Sequence, residues 1–265
     1  MYAAAYDLAG NWNHDAAWKV KVDTRPLLLN LSKLPNPTQS TAIYLRWSLS
    51  GSGSETAMVD VQEKVNNTTW SDLQIHSQQT DLWLVRKAGN KYAFMVTAQD
   101  YAGNQVTAQT NTSIPAANVL CSQLDAWDKS ASQNDNTFLK ATPIILNGGA
   151  QDHNFCNPES TDYLKDQDWL SFFAESGQLY ALFAIPKGDM SAAVNIRLYS
   201  ANGTTLLAKK DAAKFGNSTS LFWKATESGK VFIQLDHVNS EVAGNGTAYS
   251  VRLTDGSIYL PLIKK

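Results

Sequence analysis

Short segments in which apolar and polar residues alternate recur along most of this chain. In residues 41–48 the apolar side chains of Ile43, Leu45 and Trp47 occupy every second position, which is typical of a strand with one buried face. No helical period competes over a comparable length, so the pattern predicts an all-β protein. Further strands are predicted at 57–64, 69–75, 81–85, 92–98, 166–173, 178–185, 194–199, 204–208, 220–225, 229–235 and 247–253.

A near-repeat sets the expected domain boundaries. The segment Ala5-Tyr-Asp-Leu-Ala-Gly-Asn11 returns 93 residues later as Ala98-Gln-Asp-Tyr-Ala-Gly-Asn104, and an immunoglobulin-type sandwich has about 100 residues. We therefore predict the same hairpin in two successive domains, of which only the second is complete. Asp100, Gly103 and Asn104 are predicted to shape its turn, because Gly and Asn tolerate positive φ and Asp bonds the nearby backbone.

Residues 24–114 are predicted to form the complete sandwich, preceded by residues 1–23 as the end of another repeat plus a linker. Their pattern resembles bacterial Ig-like and fibronectin type III-like repeats. The likeness rests on Val22-Asp-Thr-Arg-Pro26, on the strand from Gly89 to Asp100 and on the Ala-Gly-Asn turn. The resemblance implies a β-sandwich that acts as a spacer or binding arm, and it implies little more about function.

A second module is predicted at 121–255, after a linker at 115–120 that contains Pro115 and before an apolar tail at 256–265. It resembles the bacterial pre-peptidase C-terminal domain, a β-sandwich family that includes the collagen-binding modules of secreted collagenases. The resemblance implies a targeting, adhesion or maturation module. It rests on motifs in the family order: Gln133-Asn-Asp-Asn-Thr137, Asp166-Gln-Asp-Trp-Leu-Ser-Phe172, Leu198-Tyr-Ser-Ala-Asn-Gly203, Ser228-Gly-Lys-Val-Phe-Ile233 and Gly246-Thr-Ala-Tyr-Ser-Val251.

Composition agrees with secreted β-rich modules. Of the 265 residues 43% are hydrophobic and 17% charged, so the chain can bury proper cores. A net charge of −2 with scattered Lys and Arg excludes a nucleic-acid partner, and no apolar run approaches the 18–20 residues of a membrane span. We expect a secreted or cell-surface location, with an export signal upstream because the repeat indicates that the chain begins inside a domain.

Two cysteines, Cys121 and Cys156, lack the spacing and histidine partners of a metal or redox motif. They are either two free buried thiols or one disulfide. The extracellular character favours the disulfide, which would stabilise the fold by roughly 3–4 kcal/mol in the chain-entropy model.

Calcium is the one cofactor with a candidate site. The resemblance to the pre-peptidase C-terminal domain implies oxygen ligands at Asp135, Asn136, Asp166 and Asp168, and calcium prefers six to eight such oxygens. Gln133 and Asn136 stand where the family has acidic residues, which removes two charges. These residues are therefore calcium ligands or turn and strand-end residues without a metal, and the residues by themselves favour the second interpretation.

No catalytic residue is predicted. The four histidines are far apart in sequence, and the chain has neither a His-Glu-x-x-His motif nor a Gly-x-Ser-x-Gly motif. His153 and His237 are interpreted as surface or strand-edge residues.

These observations predict a non-catalytic C-terminal module pair of a secreted or surface bacterial protein, in which a spacer carries a binding, targeting or adhesion domain. The expected partner is an extracellular polymer or surface protein. One alternative is a subunit of a self-assembling surface layer or filament that pairs through residues 1–20 or 257–263. Another is the accessory C-terminal region of a secreted protease.

Overall fold

The protein is all-β, as the alternation predicts. A computed structural model describes residues 5–6, 12–13, 22–51, 53–187 and 189–256. Self-association was predicted through residues 1–20 or 257–263. Of these, only residues 5–6 and 12–13 are among the described residues, and the others lie outside them. In the part of the chain that the structure describes, no helix is long and apolar enough to cross a membrane.

Seven strands form the first module, in two antiparallel sheets with the orders β3-β4-β7 and β6-β5-β8-β9. Their inward-facing side chains, such as Leu45, Trp47 and Phe94, form one hydrophobic core. A two-strand hairpin precedes them. The strands are β1 (Ala5–Tyr6), β2 (Trp12–Asn13), β3 (Leu28–Leu31), β4 (Ala42–Ser50), β5 (Thr56–Val65), β6 (Ser71–Ser77), β7 (Asp81–Val85), β8 (Lys91–Asp100) and β9 (Gln105–Ser113).

The two copies of the repeat pair in the same register. Tyr6 is opposite Trp12 in the first copy, and Gln99 is opposite Gln105 at the equivalent place in the second. In the second copy the Asp100 carboxylate accepts hydrogen bonds from the backbone N–H groups of residues 102 and 104, each 2.9 Å long. Gly103 has a φ of +89°, which a residue with a side chain rarely adopts.

The segment predicted as a linker is attached to the first module. It contains a short helix, α1 (Ala117–Leu120), and Leu120 is buried in the first module's core. The Gly89 N–H also donates to the carbonyl oxygens of Ile114 and Pro115, both at 2.9 Å. Residues 115–120 therefore extend the first module and do not form a free spacer.

The second module is a sandwich of two sheets with the orders β10-β12-β17-β14-β15 and β11-β18-β13-β16. Only the short pairing of β10 with β12 is parallel among the described strands. Single-turn 3-10 helices cover Phe138–Lys140 and Asn245–Thr247. The strands are β10 (Thr142–Pro143), β11 (Gln151–His153), β12 (Gln167–Ala174), β13 (Leu179–Pro186), β14 (Val194–Tyr199), β15 (Leu206–Lys210), β16 (Thr219–Lys224), β17 (Gly229–His237) and β18 (Tyr249–Asp255).

The two modules contact each other through backbone and aromatic groups. Thr41 donates its backbone N–H to the Ala243 carbonyl at 2.9 Å, and its hydroxyl accepts from the Ala243 N–H at 3.0 Å. Trp83 of the first module stacks on Phe215 of the second, with ring centroids 4.5 Å apart. Gly244 packs so closely that an added Cβ would lie 2.3 Å from the Gln39 carbonyl oxygen. This joint holds the modules together without a flexible spacer.

Candidate metal centre

Five aspartates and one histidine converge inside the second module. Asp125, Asp128 and Asp135 lie on the loop that follows the helix α1, while Asp166 and Asp168 lie at the start of β12. His153 ends β11 and is paired with Tyr249 of β18. Because β12 belongs to one sheet and β11 and β18 to the other, the side chains meet between the two layers of the sandwich.

Asp168 connects the two sheets. Its Oδ1 lies 3.0 Å from His153 Nδ1, and its Oδ2 accepts a hydrogen bond from the Tyr249 hydroxyl. All three side chains are at most 1% exposed. The aspartate carboxylate is thus held on both sides by groups of the opposite layer.

Two carboxylate oxygens in this cluster accept no hydrogen bond from an N–H or hydroxyl group of the described residues. Asp128 uses Oδ1 to accept from the Asp135 N–H at 3.1 Å, but no such donor faces its Oδ2, and its carboxyl group otherwise contacts the equally acidic side chain of Asp166. Asp135 Oδ2 is 3.4 Å from the Thr142 hydroxyl, whereas Oδ1 is unpartnered. Both residues are 0% exposed. A buried polar atom without a partner is destabilising, and it points to a missing ion or proton.

Asp166 and Asn136, two of the four predicted ligands, make other contacts. Asp166 Oδ2 accepts from the Cys156 N–H at 2.7 Å and Oδ1 from the Gln167 N–H at 3.0 Å. The Asn136 amide, in the orientation that satisfies its neighbours, donates to Asp166 Oδ1 at 2.9 Å. Asp166 therefore belongs to the cluster but uses its oxygens to support the adjoining loop together with Asn136, whereas Asp135 and Asp168 are among the grouped donors.

The carboxyl groups of Asp128, Asp135 and Asp168 are buried without a positive counter-charge in the described part of the chain, and this raises their pKa values. Desolvation, reinforced by the charge of Asp168, raises the pKa of Asp135 to about 9. Desolvation and the charge of Asp125 raise the pKa of Asp128 to about 6. The pKa of Asp168 is also raised well above its usual value, for the same two reasons. Among the described residues no Lys or Arg forms an ion pair with any of these carboxylates.

The donor atoms form two groups that share one residue. Asp128, Asp135 and Asp168 make an all-carboxylate group, while Asp125, His153 and Asp168 make a mixed group. In each group the three donor atoms lie within 4.8 Å of one another. Two oxygens on opposite sides of a calcium ion are about 4.6–5.2 Å apart, since each bond is 2.3–2.6 Å long. The all-carboxylate group is therefore compact enough for its three oxygens to contact one calcium ion, and its donors are of the type that calcium prefers.

A disulfide closes the loop that carries most of these donors. Cys121 and Cys156 are bonded, with their Cα atoms 5.7 Å apart. The closed loop contains Asp125, Asp128 and Asp135 as well as His153. The covalent link thereby restrains four of the six converging side chains.

The interpretation of His153 and His237 as surface residues is wrong, although each residue ends its strand and His153 lies on the edge strand β11. Their exposed fractions are 1% and 4%, because His153 is packed between Trp127 and Tyr249 and His237 lies against Phe155 and Phe215. Sequence reasoning also missed Asp125, Asp128 and Tyr249 as members of the cluster. A local signal for two of them is the Asp125-x-x-Asp128 spacing, which lies inside the cysteine loop ahead of Asp135.

No protein-family model matches this chain, and no curated protein matches it. Several solved β-sandwich structures resemble it at low identity. The pre-peptidase C-terminal domain of Bacillus anthracis collagenase is 12% identical over 43% of this chain and 93% of its own, with a TM-score of 0.31.

Two other β-sandwich structures are similar to the chain at comparably low identity. A two-domain fibronectin type III segment of chicken tenascin is 11% identical over 87% of this chain and 99% of its own, with a TM-score of 0.25. A PKD1 domain of the Vibrio cholerae metalloprotease PrtV is 13% identical over 34% of this chain and 96% of its own, with a TM-score of 0.23. Such values do not assign the chain to any of these families.

Proposed function

We propose that this chain is a non-catalytic, extracellular module pair of a secreted or surface bacterial protein, and that a calcium ion stabilises its second module. Asp128, Asp135 and Asp168 are the proposed protein ligands. The observation that carries the proposal is a pair of completely buried oxygens, one on Asp128 and one on Asp135, that accept no N–H or hydroxyl hydrogen bond. A bound cation would supply the partner that each oxygen lacks.

The donor set suits a hard cation. Carboxylate oxygens are the ligands that calcium prefers, and three carboxylates can offer up to six oxygens. Ligand binding to the native state alone stabilises it, so occupancy would convert an unfavourable buried charge cluster into a stabilising centre.

The enclosure of the cluster supports a structural role for it. Asp128, Asp135 and Asp168 are each 0% exposed, and a substrate would have to reach reacting groups within about 3 Å. A catalytic acid or base needs such access, whereas a structural ion needs only ligands. The second module would then provide a stable surface for binding or display. Its β-sandwich architecture is compatible with the pre-peptidase C-terminal type.

The disulfide supports an extracellular location. Cys121 and Cys156 account for every cysteine of the chain, and both are in the bond. Disulfides persist in oxidising compartments and are rare in the cytosol. Because the joint holds the two modules against each other, a binding surface on the second module would keep a fixed orientation relative to the first.

Calcium titration followed by isothermal calorimetry tests the proposed ion site. We expect the wild-type protein, freed of metal by chelation, to bind calcium, and Asp135→Asn to lose most of that affinity because it removes one charged ligand. Asp72→Asn is the matched control, since Asp72 is an exposed residue of β6 in the first module. Absence of calcium binding by the folded wild type, or equal binding by all three proteins, would reject the proposal.

A further inference from the structure

We infer that the mixed group Asp125, His153 and Asp168 is a second cation position, and that it takes a divalent transition-series ion such as zinc. This inference rests on the proposed calcium site, because the two positions would share Asp168. It assigns a role to His153, which the calcium site does not use.

The donor atoms lie close together, and zinc would take the place of the proton in the hydrogen bond between His153 Nδ1 and Asp168 Oδ1. His153 Nδ1 lies 3.0 Å from Asp168 Oδ1 and 3.8 Å from Asp125 Oδ2. Two donors bound to one zinc ion at about 2.0–2.1 Å are about 2.8–3.4 Å apart, for octahedral or tetrahedral angles. The shorter separation fits directly, and the longer one needs to decrease by a few tenths of an ångström.

The backbone fixes the orientation of Asp125. Its Oδ1 accepts hydrogen bonds from the N–H groups of Trp127 and Asp128, at 2.7 and 3.0 Å. Its Oδ2 accepts from the Asn154 N–H at 3.0 Å, and the carboxylate oxygen keeps a second lone pair that can face a cation. The Asp125 side chain is 6% exposed, so an ion could enter from this side of the cluster.

The imidazole ring is held in place by its aromatic neighbours. Trp127 and Tyr249 are roughly parallel to the ring of His153, with interplanar angles of 23° and 22°. A fixed ring limits the entropy lost when Nδ1 becomes a ligand, which favours binding.

A second divalent ion would improve the charge balance of the cluster when all of its carboxyl groups are ionised. The five aspartates of the cluster carry five negative charges when all are ionised, and the only ionisable cation among their described ion-pair partners is His153. One divalent ion would leave three charges unbalanced, whereas two would leave one. Buried charges persist only when they are paired or coordinate metals.

The nitrogen donor decides which ion the second position prefers. Calcium and magnesium prefer oxygen ligands, while imidazole suits zinc and its neighbours in the transition series. The all-carboxylate group lacks a nitrogen. The two positions would therefore take different ions, calcium beside Asp128 and Asp135, and zinc beside His153 and Asp125.

Zinc titration of the calcium-saturated protein tests this inference. Bound calcium and zinc are measured together by elemental analysis after removal of free ions, and binding is followed by calorimetry. We expect one zinc per chain without loss of calcium. We also expect His153→Gln to weaken zinc binding by more than about tenfold and to keep calcium binding. His76→Gln is the control, because His76 is an exposed histidine of β6.

Because His153 is buried, its replacement could disturb the fold, so two further measurements keep the test decisive. Asp125→Asn removes the charge at the partly accessible edge of the cluster and should also weaken zinc binding. Nitrogen-detected NMR of the unmodified protein should show the His153 ring signals shift on zinc addition. Unchanged ring signals, or zinc binding that survives in both His153→Gln and Asp125→Asn, would overturn the inference.

The possible failures are distinguishable from each other. Calcium binding without any zinc binding would overturn the second position and leave the calcium site. Zinc that displaces calcium one for one would also overturn it, because a single position would then serve both ions. Folded protein that binds zinc but no calcium would instead contradict the proposed function.

Discussion

A substitution at Asp128 can show whether this residue is a metal ligand or only a turn residue. Its Oδ1 accepts the Asp135 N–H, and its Oδ2 is buried and accepts no N–H or hydroxyl hydrogen bond. If the residue only shapes a turn, Asp128→Asn should have little effect, because the amide oxygen can accept the same hydrogen bond. If it is a ligand, calcium-free and calcium-bound proteins should respond in opposite directions.

We predict that Asp128→Asn stabilises the calcium-free protein and reduces its stabilisation by calcium. The substitution removes one buried charge, and the rise in the pKa of Asp128 from 3.8 to about 6 corresponds to a cost of at most about 3 kcal/mol for the charged form. Urea unfolding with chelator and with calcium measures both effects. Destabilisation in chelator together with a full calcium response would contradict the assignment of Asp128.

His237 makes the stability of the second module dependent on pH. Burial lowers the pKa of His237 below its value of 6.5 in an unfolded chain. Below pH 6.5 the unfolded state therefore binds more protons than the folded state, and stability is lost as the pH falls.

We predict that the wild-type protein loses stability relative to His237→Gln between pH 7.5 and pH 5. The loss is at most about 1.4 kcal/mol for each pH unit below 6.5. The comparison is made in saturating calcium, so that the difference between the two proteins isolates residue 237. Parallel stability curves for the two proteins would contradict the prediction, because they would show that the pKa of His237 is the same in the folded and unfolded states.

At the scale of elements, the cysteine loop connects folding to the candidate metal centre. The bond between Cys121 and Cys156 closes a loop over a sequence separation of 35, and the loop carries four donors. The chain-entropy model gives a stabilisation of about 3–4 kcal/mol for such a loop.

We predict that reduction of the disulfide lowers the free energy of unfolding by about that amount and weakens calcium binding. Denaturant unfolding and calcium titration are each performed with and without reductant. The double variant Cys121→Ser, Cys156→Ser is the control, because reductant should leave it unchanged. Calcium affinity that is the same in the oxidised and reduced proteins would show that the loop is ordered without the bond.

The strands were predictable where one face is buried and the other exposed. The segment expected at 41–48 corresponds to β4 (Ala42–Ser50), and the one at 229–235 to β17 (Gly229–His237). The bounds of β9 (Gln105–Ser113) were not predicted, because its inner face has only Val106 and Ala108 as apolar residues and only Thr112 is fully buried. Its position is determined by pairing with β8. Such pairing depends on the neighbouring strand and cannot be read from the alternation within one segment.

The candidate site was only partly predictable for a related reason. Asp135 and Asp168 came from family-like motifs, but His153 and Tyr249 enter the cluster only because β11 pairs with β18. Because His153 and Tyr249 are far apart in the sequence, no local pattern indicates that they are close in space. Asp125 was missed because aspartates are common in polar loops, and its spacing to Asp128 indicates a site only together with the cysteine loop that encloses both residues.

At the scale of the whole molecule, the joint between the modules depends on close backbone approach. Gly244 has a φ of +134°, and an added Cβ would lie 2.3 Å from the Gln39 oxygen and 2.7 Å from Ser40 Cα. Any side chain at this position must displace one module from the other.

We predict that Gly244→Ala separates the modules, with an increase in the radius of gyration measured by small-angle X-ray scattering. The control is Gly229→Ala, where an added Cβ meets nothing within 4 Å. Circular dichroism checks that both variants keep their β-structure. A scattering profile identical to wild type in a folded Gly244→Ala protein would show that the joint tolerates the side chain.

The central claim is that a calcium ion is part of the folded second module, and calorimetric unfolding in calcium and in chelator tests it most directly. At a free calcium concentration one hundred times the dissociation constant, binding adds about 2.7 kcal/mol. For a chain of this size that corresponds to a rise of about 5–11 °C in the unfolding midpoint. We predict such a rise for the wild type and its loss in Asp168→Asn. Superimposable wild-type unfolding curves in calcium and in chelator would contradict the claim.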